Sequence, residues 1–171
     1  MGKKYFASYG LDALTMRLKS IIDVENKDTL STHLKQTIFF RDEGKVSGTI
    51  NNENFKIWIH EQGRSGVTGI FYPIIKGTAR SLQTGLEIEL KSKFNLVGGT
   101  VYLILCGLLG YAILTGIVIQ DNSELKFVIP RLMIGIILFG LMISLPSFIY
   151  LRTSKITKQY IIKELGLKNV R

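Results

Sequence analysis

Lys56, Trp58 and His60 alternate along one run, Phe55 to His60 (FKIWIH), so an extended chain turns all three to one side and Phe55, Ile57 and Ile59 to the other. Arg64 follows in the glycine-bearing stretch Gly63 to Gly66. Lys76 and Arg80 fall on the next strand and its turn. Cations beside a planar aromatic suit a phosphate carrying a stacked base. Lys56, Trp58, His60, Arg64, Lys76 and Arg80 are therefore the candidate ligand-binding group, and the ligand they suit is anionic, with a nucleotide the natural case. The same side chains also fit a merely solvated outward face, with Trp58 packed on the N-terminal helix.

Catalytic chemistry has little to stand on. The two histidines, His33 and His60, have no histidine or cysteine at metal-ligand spacing. Cys106 is surrounded by leucine and glycine in an apolar run, where a thiol stays protonated. No phosphate loop ending in Gly-Lys-Ser/Thr and no Gly-x-Ser-x-Gly elbow occurs. Gly63-Arg64-Ser65-Gly66 has a phosphate-loop look, but so short a match is common. Glu87 and Glu89 share one strand face and read as solvated carboxylates. The expectation is a protein that is not an enzyme, with no cofactor and no metal.

The elements that must carry these residues divide the chain in two. Of 171 residues 46% are hydrophobic, yet the apolar ones concentrate between residues 97 and 151. Val97 to Ile119 carries no charge and, as a helix, extends roughly 34 Å, enough for a hydrocarbon core of ~30 Å. Leu132 to Leu151 is a second uncharged run, and the polar stretch Gln120 to Lys126 lies between. Two spans so close in sequence predict an antiparallel transmembrane hairpin. Lys91 and Lys93 precede it. Arg152, Lys155, Lys158, Lys163, Lys168 and Arg171 follow, opposed only by Glu164. In the connecting loop Asp121 and Glu124 cancel Lys126 and Arg131. Positive flanks stay in the cytoplasm, so the expectation is a bacterial inner-membrane protein with both termini cytoplasmic. Met1 to Gly10 has no apolar core of the signal-peptide kind.

Residues 1–96 read as a cytoplasmic helix plus β domain. Leu11, Leu14, Leu18, Ile21 and Ile22 recur at helical steps, predicting an amphipathic helix from Leu11 to about Val24 that ends at Glu25 to Asp28. A period of two then predicts strands at Thr37 to Phe40, Lys45 to Ile50, Phe55 to His60, Ile70 to Gly77 and Leu86 to Leu90. Turns fall at Asp42 to Gly44, Asn51 to Asn54 and Gln83 to Gly85, and a polar loop at Glu61 to Gly66. Short strands at this spacing predict an antiparallel meander, curled into a small sheet or partial barrel. Pro73 belongs at an edge or bulge. Ser92 to Leu96 is too short a linker for the sheet to swing freely on the hairpin. Residues 152–171 predict a basic helix continuing the second span, with Ile156, Tyr160 and Leu165 towards lipid or the sheet. The class is thus α+β with a transmembrane helical hairpin (97–119 and 132–151).

Within the hairpin, Cys106, Gly110, Ala112 and Gly116 on the first helix, and Gly140, Ser144 and Ser147 on the second, form small-residue stripes that let helices approach closely. Two helices have too little mutual surface to bury them all, which points to a homo-oligomer. Neither span holds an ionisable group, arguing against a proton relay or ion-coupled transport. Thr100, Thr115, Ser144 and Ser147 suit the lining of a weakly selective pore; hydroxyls that bond back to their own helix suit a plain anchor. Pro146 is a candidate kink.

Gly48 to Ile50, Phe55 to Trp58, Tyr72-Pro73 and Gly77, leading into two spans, resemble a group of small uncharacterised bacterial membrane proteins. A compact β domain joined to two spans is also similar in architecture to membrane effectors of bacterial anti-phage nucleotide-signalling systems. In those, the β domain binds a nucleotide messenger and the spans oligomerise to breach the inner membrane. The best-known β-barrel members put the spans before the barrel, whereas here they follow it, so no ligand residue carries over. The resemblance implies a homo-oligomeric effector with membrane lipid, copies of itself and a nucleotide messenger as partners. Duplex nucleic acid is not expected. The alternative is a membrane-anchored protein-docking module without a pore.

Overall fold

The computed structural model describes residues 2–39, 44–60, 71–118 and 125–169. Its elements run β1 (Lys3–Ala7), α1 (Leu11–Ile21), β2 (Val24–Glu25), α2 (Leu30–Phe39), β3 (Val46–Asn51), β4 (Asn54–Ile59), β5 (Pro73–Leu82), β6 (Gly85–Phe94), α3 (Leu96–Val118), α4 (Leu125–Leu165) and β7 (Lys168–Asn169). One seven-stranded sheet has the order β2-β3-β4-β5-β6-β1-β7. The meander β3 to β6 is antiparallel, as its turns predict. The sheet is nevertheless mixed and open, because β2 joins β3 in parallel and two-residue strands form both edges. Pro73 is the first residue of β5, a position that needs no ladder N–H.

Two expectations are corrected. Thr37 to Phe39 is the end of a helix, not a strand. Thr29 caps α2 through its hydroxyl, which accepts the Thr32 amide at 3.3 Å, and the Thr29 carbonyl accepts the His33 amide at 3.1 Å. Once the turn is capped, His33 and Gln36 share one face, His33 bonding Asp28 and Tyr72 and Gln36 bonding Ser47, Trp58 and Tyr72, which overrides the strand-like composition of the final turn. Phe40 and the turn residues 42 and 43 lie outside the described residues, as does the loop 61–66. The amphipathic helix α1 stops at Ile21, and Val24 starts β2 instead. Missed altogether was β1, whose Tyr5 and Ala7 alternate into the core.

Pleating divides the sheet's side chains between two faces. On one, Phe55, Ile57, Ile75, Ala79, Leu86, Ile88 and Leu90 meet Leu14, Leu18 and Ile21 of α1 and Ile161 and Leu165 of α4. On the other, Trp58, Tyr72 and Ile74 form a smaller cluster near α2. The rest of that second face is open and charged.

The two long helices leave the sheet together. α3 begins one residue after β6, and α4 is a single helix of 41 residues, roughly 60 Å at helical rise. That is about twice a hydrocarbon core of ~30 Å, so α4 is long enough both to cross a membrane and to dock on the sheet. It remains helical through Pro146. Its C-terminal end closes at Gly166, in the left-handed region at φ 62°. There the Gly166 amide donates to Lys163 and the Leu167 amide to Ile162, which turns the chain into β7. As expected, 152–165 continues the second apolar segment. Leu165 is buried in the sheet's core and Tyr160 packs against it, while Ile156 is exposed.

Both α3 and α4 are long and apolar enough to cross a membrane. Only 11% of the apolar window of α3 and 6% of that of α4 is buried. A core helix of a soluble domain would be mostly buried, so these exposed leucines and isoleucines suggest membrane association.

Candidate functional site

Antiparallel pairing sets Lys56 of β4 opposite Lys76 of β5, and Lys76 opposite Lys91 of β6. Three lysines therefore form a row across the open face, with Cβ atoms of neighbours about 5 Å apart. Lys56 donates to Asp28 at 2.7 Å and Lys91 pairs with Glu89 at 3.0 Å. The half-exposed Lys76 between them has no ion pair among the described residues. Arg80 lies on the same face, exposed and opposite Glu87, whose carboxylate is taken by Lys4 at 2.9 Å. Like charges directly opposite one another repel, so a bound anion would relieve the row.

Trp58 and His60 do not join that surface. They share the face of Lys56, as alternation requires, but α2 covers their end of it, and both are buried. The indole of Trp58 donates to Gln36 Oε1 at 2.9 Å, so its partner is α2 rather than the N-terminal helix α1. Arg64 lies outside the described residues. Of the six candidates, then, Lys56, Lys76 and Arg80 share an open face.

What α2 covers is a polar cluster. Asp28 Oδ1 meets His33 Nε2 at 2.9 Å, and His33 Nδ1 meets the Tyr72 hydroxyl at 2.6 Å. Tyr72 also donates to Gln36 Oε1 at 3.3 Å, and Gln36 Nε2 donates to Ser47 at 3.1 Å. His33 packs edge-on against Trp58, and Tyr72 against His60. Burial works to raise the Asp28 pKa, but hydrogen bonds and charge from Lys56 and His33 outweigh it and hold the carboxyl below its usual range. Burial, then the charge of Asp28, pushes the Tyr72 hydroxyl well above its ordinary value. A phenol held protonated here is a hydrogen-bond donor, not a base.

The cluster connects to the long helices. Asn95 caps α3 by accepting the Gly98 amide at 2.5 Å while its own amide donates to the Tyr72 carbonyl at 3.0 Å. Beside it, Phe94 stacks on Tyr150 at 3.8 Å, and Ser92 bonds Ser154. Both long helices are thus fastened to β5 and β6. Sequence reasoning missed Asp28, His33, Gln36, Tyr72 and Asn95. The available signals were Thr29 three residues before Thr32, and an asparagine immediately ahead of an apolar run.

Along the hairpin, the close approach is at Gly135, where a Cβ would come within 3.2 Å of Ile113. Gly110 and Gly140 face open space, Ala112 and Ser144 are exposed, and Cys106 and Ser147 are half-buried. Gly116 falls beyond the residues whose packing is described. Ser144 donates to Leu141 and Ser147 to Ile143. Thr100 and Thr115 likewise bond to Leu96 and Tyr111 in their own helix. No three metal-ligating side chains converge among the described residues. A cleft of about 420 Å³ between α1 and the β3–β4 turn, lined by Lys19, Glu25 and Asn52 among others, contains none of the candidate residues. Comparison with known protein families, with curated proteins and with solved structures returns no match.

Proposed function

We propose that this is a homo-oligomeric protein of the bacterial inner membrane, with both termini cytoplasmic, whose sheet domain senses an anionic ligand and controls the hairpin. The observation that carries it is the lysine row, with Lys76 at its centre in no ion pair among the described residues and Arg80 on the same face. A phosphate-bearing ligand, a nucleotide messenger among them, fits that chemistry through charge. The buried Trp58 leaves the stacking part of a nucleotide site without its aromatic, so charge dominates. Coupling is favoured because β5 and β6 hold both long helices, through Asn95, Ser92 and Phe94. A ligand shifts the hairpin only by its differential affinity for two states. Basic flanks at Lys91, Lys93, Arg152 and Lys155 support the orientation.

The test is calorimetry of detergent-extracted protein with pyrophosphate and ATP as probes, beside dye release from vesicles. Lys76→Ala with Arg80→Ala is expected to lower anion affinity by tenfold or more. Unchanged affinity would remove the sensing role. A second reading, an anchor that docks a protein partner, is favoured by the hydroxyls of Thr100, Thr115, Ser144 and Ser147, which are spent on their own helices. Dye release separates the two: an anchor releases none, and its hairpin can be exchanged for an unrelated one.

A further inference from the structure

We infer that Lys93, Lys91 and Lys76 form a binding site for the phosphate headgroup of an anionic phospholipid in the membrane that the hairpin crosses. This names the source of the anion, and it rests on the sensing role proposed for the lysine row and on α3 and α4 being spans. Two contacts fix the depth of the sheet. Phe94 of β6 stacks on Tyr150 of α4 at 3.8 Å, and two residues further from α3, Ser92 bonds Ser154. Two strand residues rise about 6.6 Å and four helical residues about 6 Å, so β6 and α4 lie side by side with nearly parallel axes as they leave the apolar segments. Tyr150 stands one residue before Leu151, where one uncharged run ends, and Phe94 three residues before Val97, where the other begins. The stacked pair therefore marks the edge of the apolar layer.

From that edge the open face of the sheet is charged in order of depth. Lys93, opposite Ile74, lies one residue out, and the pair Lys91 and Lys76 three residues out, about 3 and 10 Å at strand rise. A headgroup layer is roughly 5–8 Å thick on each side of the hydrocarbon core, and the four-carbon stem of a lysine bridges the remainder. Carboxylates enter this face of β6 only beyond it, at Glu89 and Glu87, about 17 and 23 Å out. Cations nearest the bilayer and carboxylates furthest from it match the negative surface potential of anionic lipids, which decays over about 8 Å at physiological salt. Lys93 and Lys76 take part in no ion pair among the described residues, and exposed Lys91 holds Glu89 at 3.0 Å in a surface pair that a phosphate can replace. With Cβ atoms about 5 Å apart, Lys91 and Lys76 can both reach one phosphate. Near α2 the β4 side of this face is covered, but Lys91 and Lys93 on β6 are exposed.

The test is native mass spectrometry of the full chain in detergent, titrated separately with phosphatidylglycerol, phosphatidylcholine and pyrophosphate. The unaltered protein is expected to retain phosphatidylglycerol at least tenfold more tightly than phosphatidylcholine. Lys91→Gln with Lys93→Gln is expected to abolish that preference. Lys163→Gln with Lys168→Gln, an equal loss of charge from exposed residues at the far end of α4 and on β7, is expected to keep it. Coincident thermal melts show that both variants fold. Equal retention of the two lipids, or a preference that survives in the first variant, overturns the inference. So does a preference lost equally in the second, which makes it an effect of net charge. If the lipids are retained equally while pyrophosphate binds and needs Lys76, the anion comes from solution and the sensing role stands without the inference. If pyrophosphate fails to bind as well, both fall.

Discussion

Asp28 sits where β4 and α2 meet, accepting from Lys56 at 2.7 Å and bonded to His33 at 2.9 Å. Its pKa is lowered in the folded state, so the stability it contributes is present above the unfolded value near 4. That contribution is lost as pH falls through the folded value. Unfolding followed between about pH 5 and 2 is expected to show this acid loss, and Asp28→Asn to flatten it. At neutral pH, Asp28→Ala strands buried His33 and half-buried Lys56 and is expected to cost about 3 kcal/mol. Trp58 is the chain's single tryptophan, so its emission reports the docking of α2 directly. Blue-shifted emission shielded from aqueous quenchers is expected, and Gln36→Ala should shift it to the red.

At the scale of elements, the hairpin distinguishes two kinds of glycine. Gly135 lies against Ile113, so Gly135→Leu is expected to force α3 and α4 apart. Gly140 faces open space, so Gly140→Leu is expected to leave the hairpin intact and, if the proposed homo-oligomer forms through that face, to weaken only its contacts between copies. Native mass spectrometry of the two variants, together with protease protection of the hairpin, checks both outcomes. The cap of α3 is a second such point. Asn95→Ala removes the acceptor for Gly98 and the donor to Tyr72, and is expected to lower stability by about 1–2 kcal/mol in a thermal melt.

For the whole molecule, the decisive feature is that the second long helix belongs to the sheet as well as to the apolar hairpin. Ile161 and Leu165 are fully buried in the core, and β7 closes on β1. Removal of residues 152–171 is therefore expected to unfold the sheet domain, which a free basic tail would not do. A shift of Trp58 emission to the red and loss of the cooperative melt would register it. The short edge strands β2 and β7 leave little open ladder for a partner strand, so a protein docking there has less to pair with than the sheet's size suggests.

Local pattern was enough for much of this. The uncharged runs are read from composition alone, and β4 to β6 from a period of two, because the rule at each position depends only on near neighbours. Leu14, Leu18 and Ile21 were legible as the buried stripe of α1 for the same reason. Lys56, Lys76 and Arg80 could be assigned to one face, yet the row through Lys91 needed the register of three strands. The cover over Trp58 and His60 needed α2, whose last residues, from Thr37, read as a strand until the Thr29 cap and the bonds of His33 and Gln36 decide otherwise. Parallel β2, the mixed sheet and the docking of α4 depend on contacts between residues far apart in the chain. Periodicity can say that a side chain turns inward, but only the packed structure decides which element it meets there.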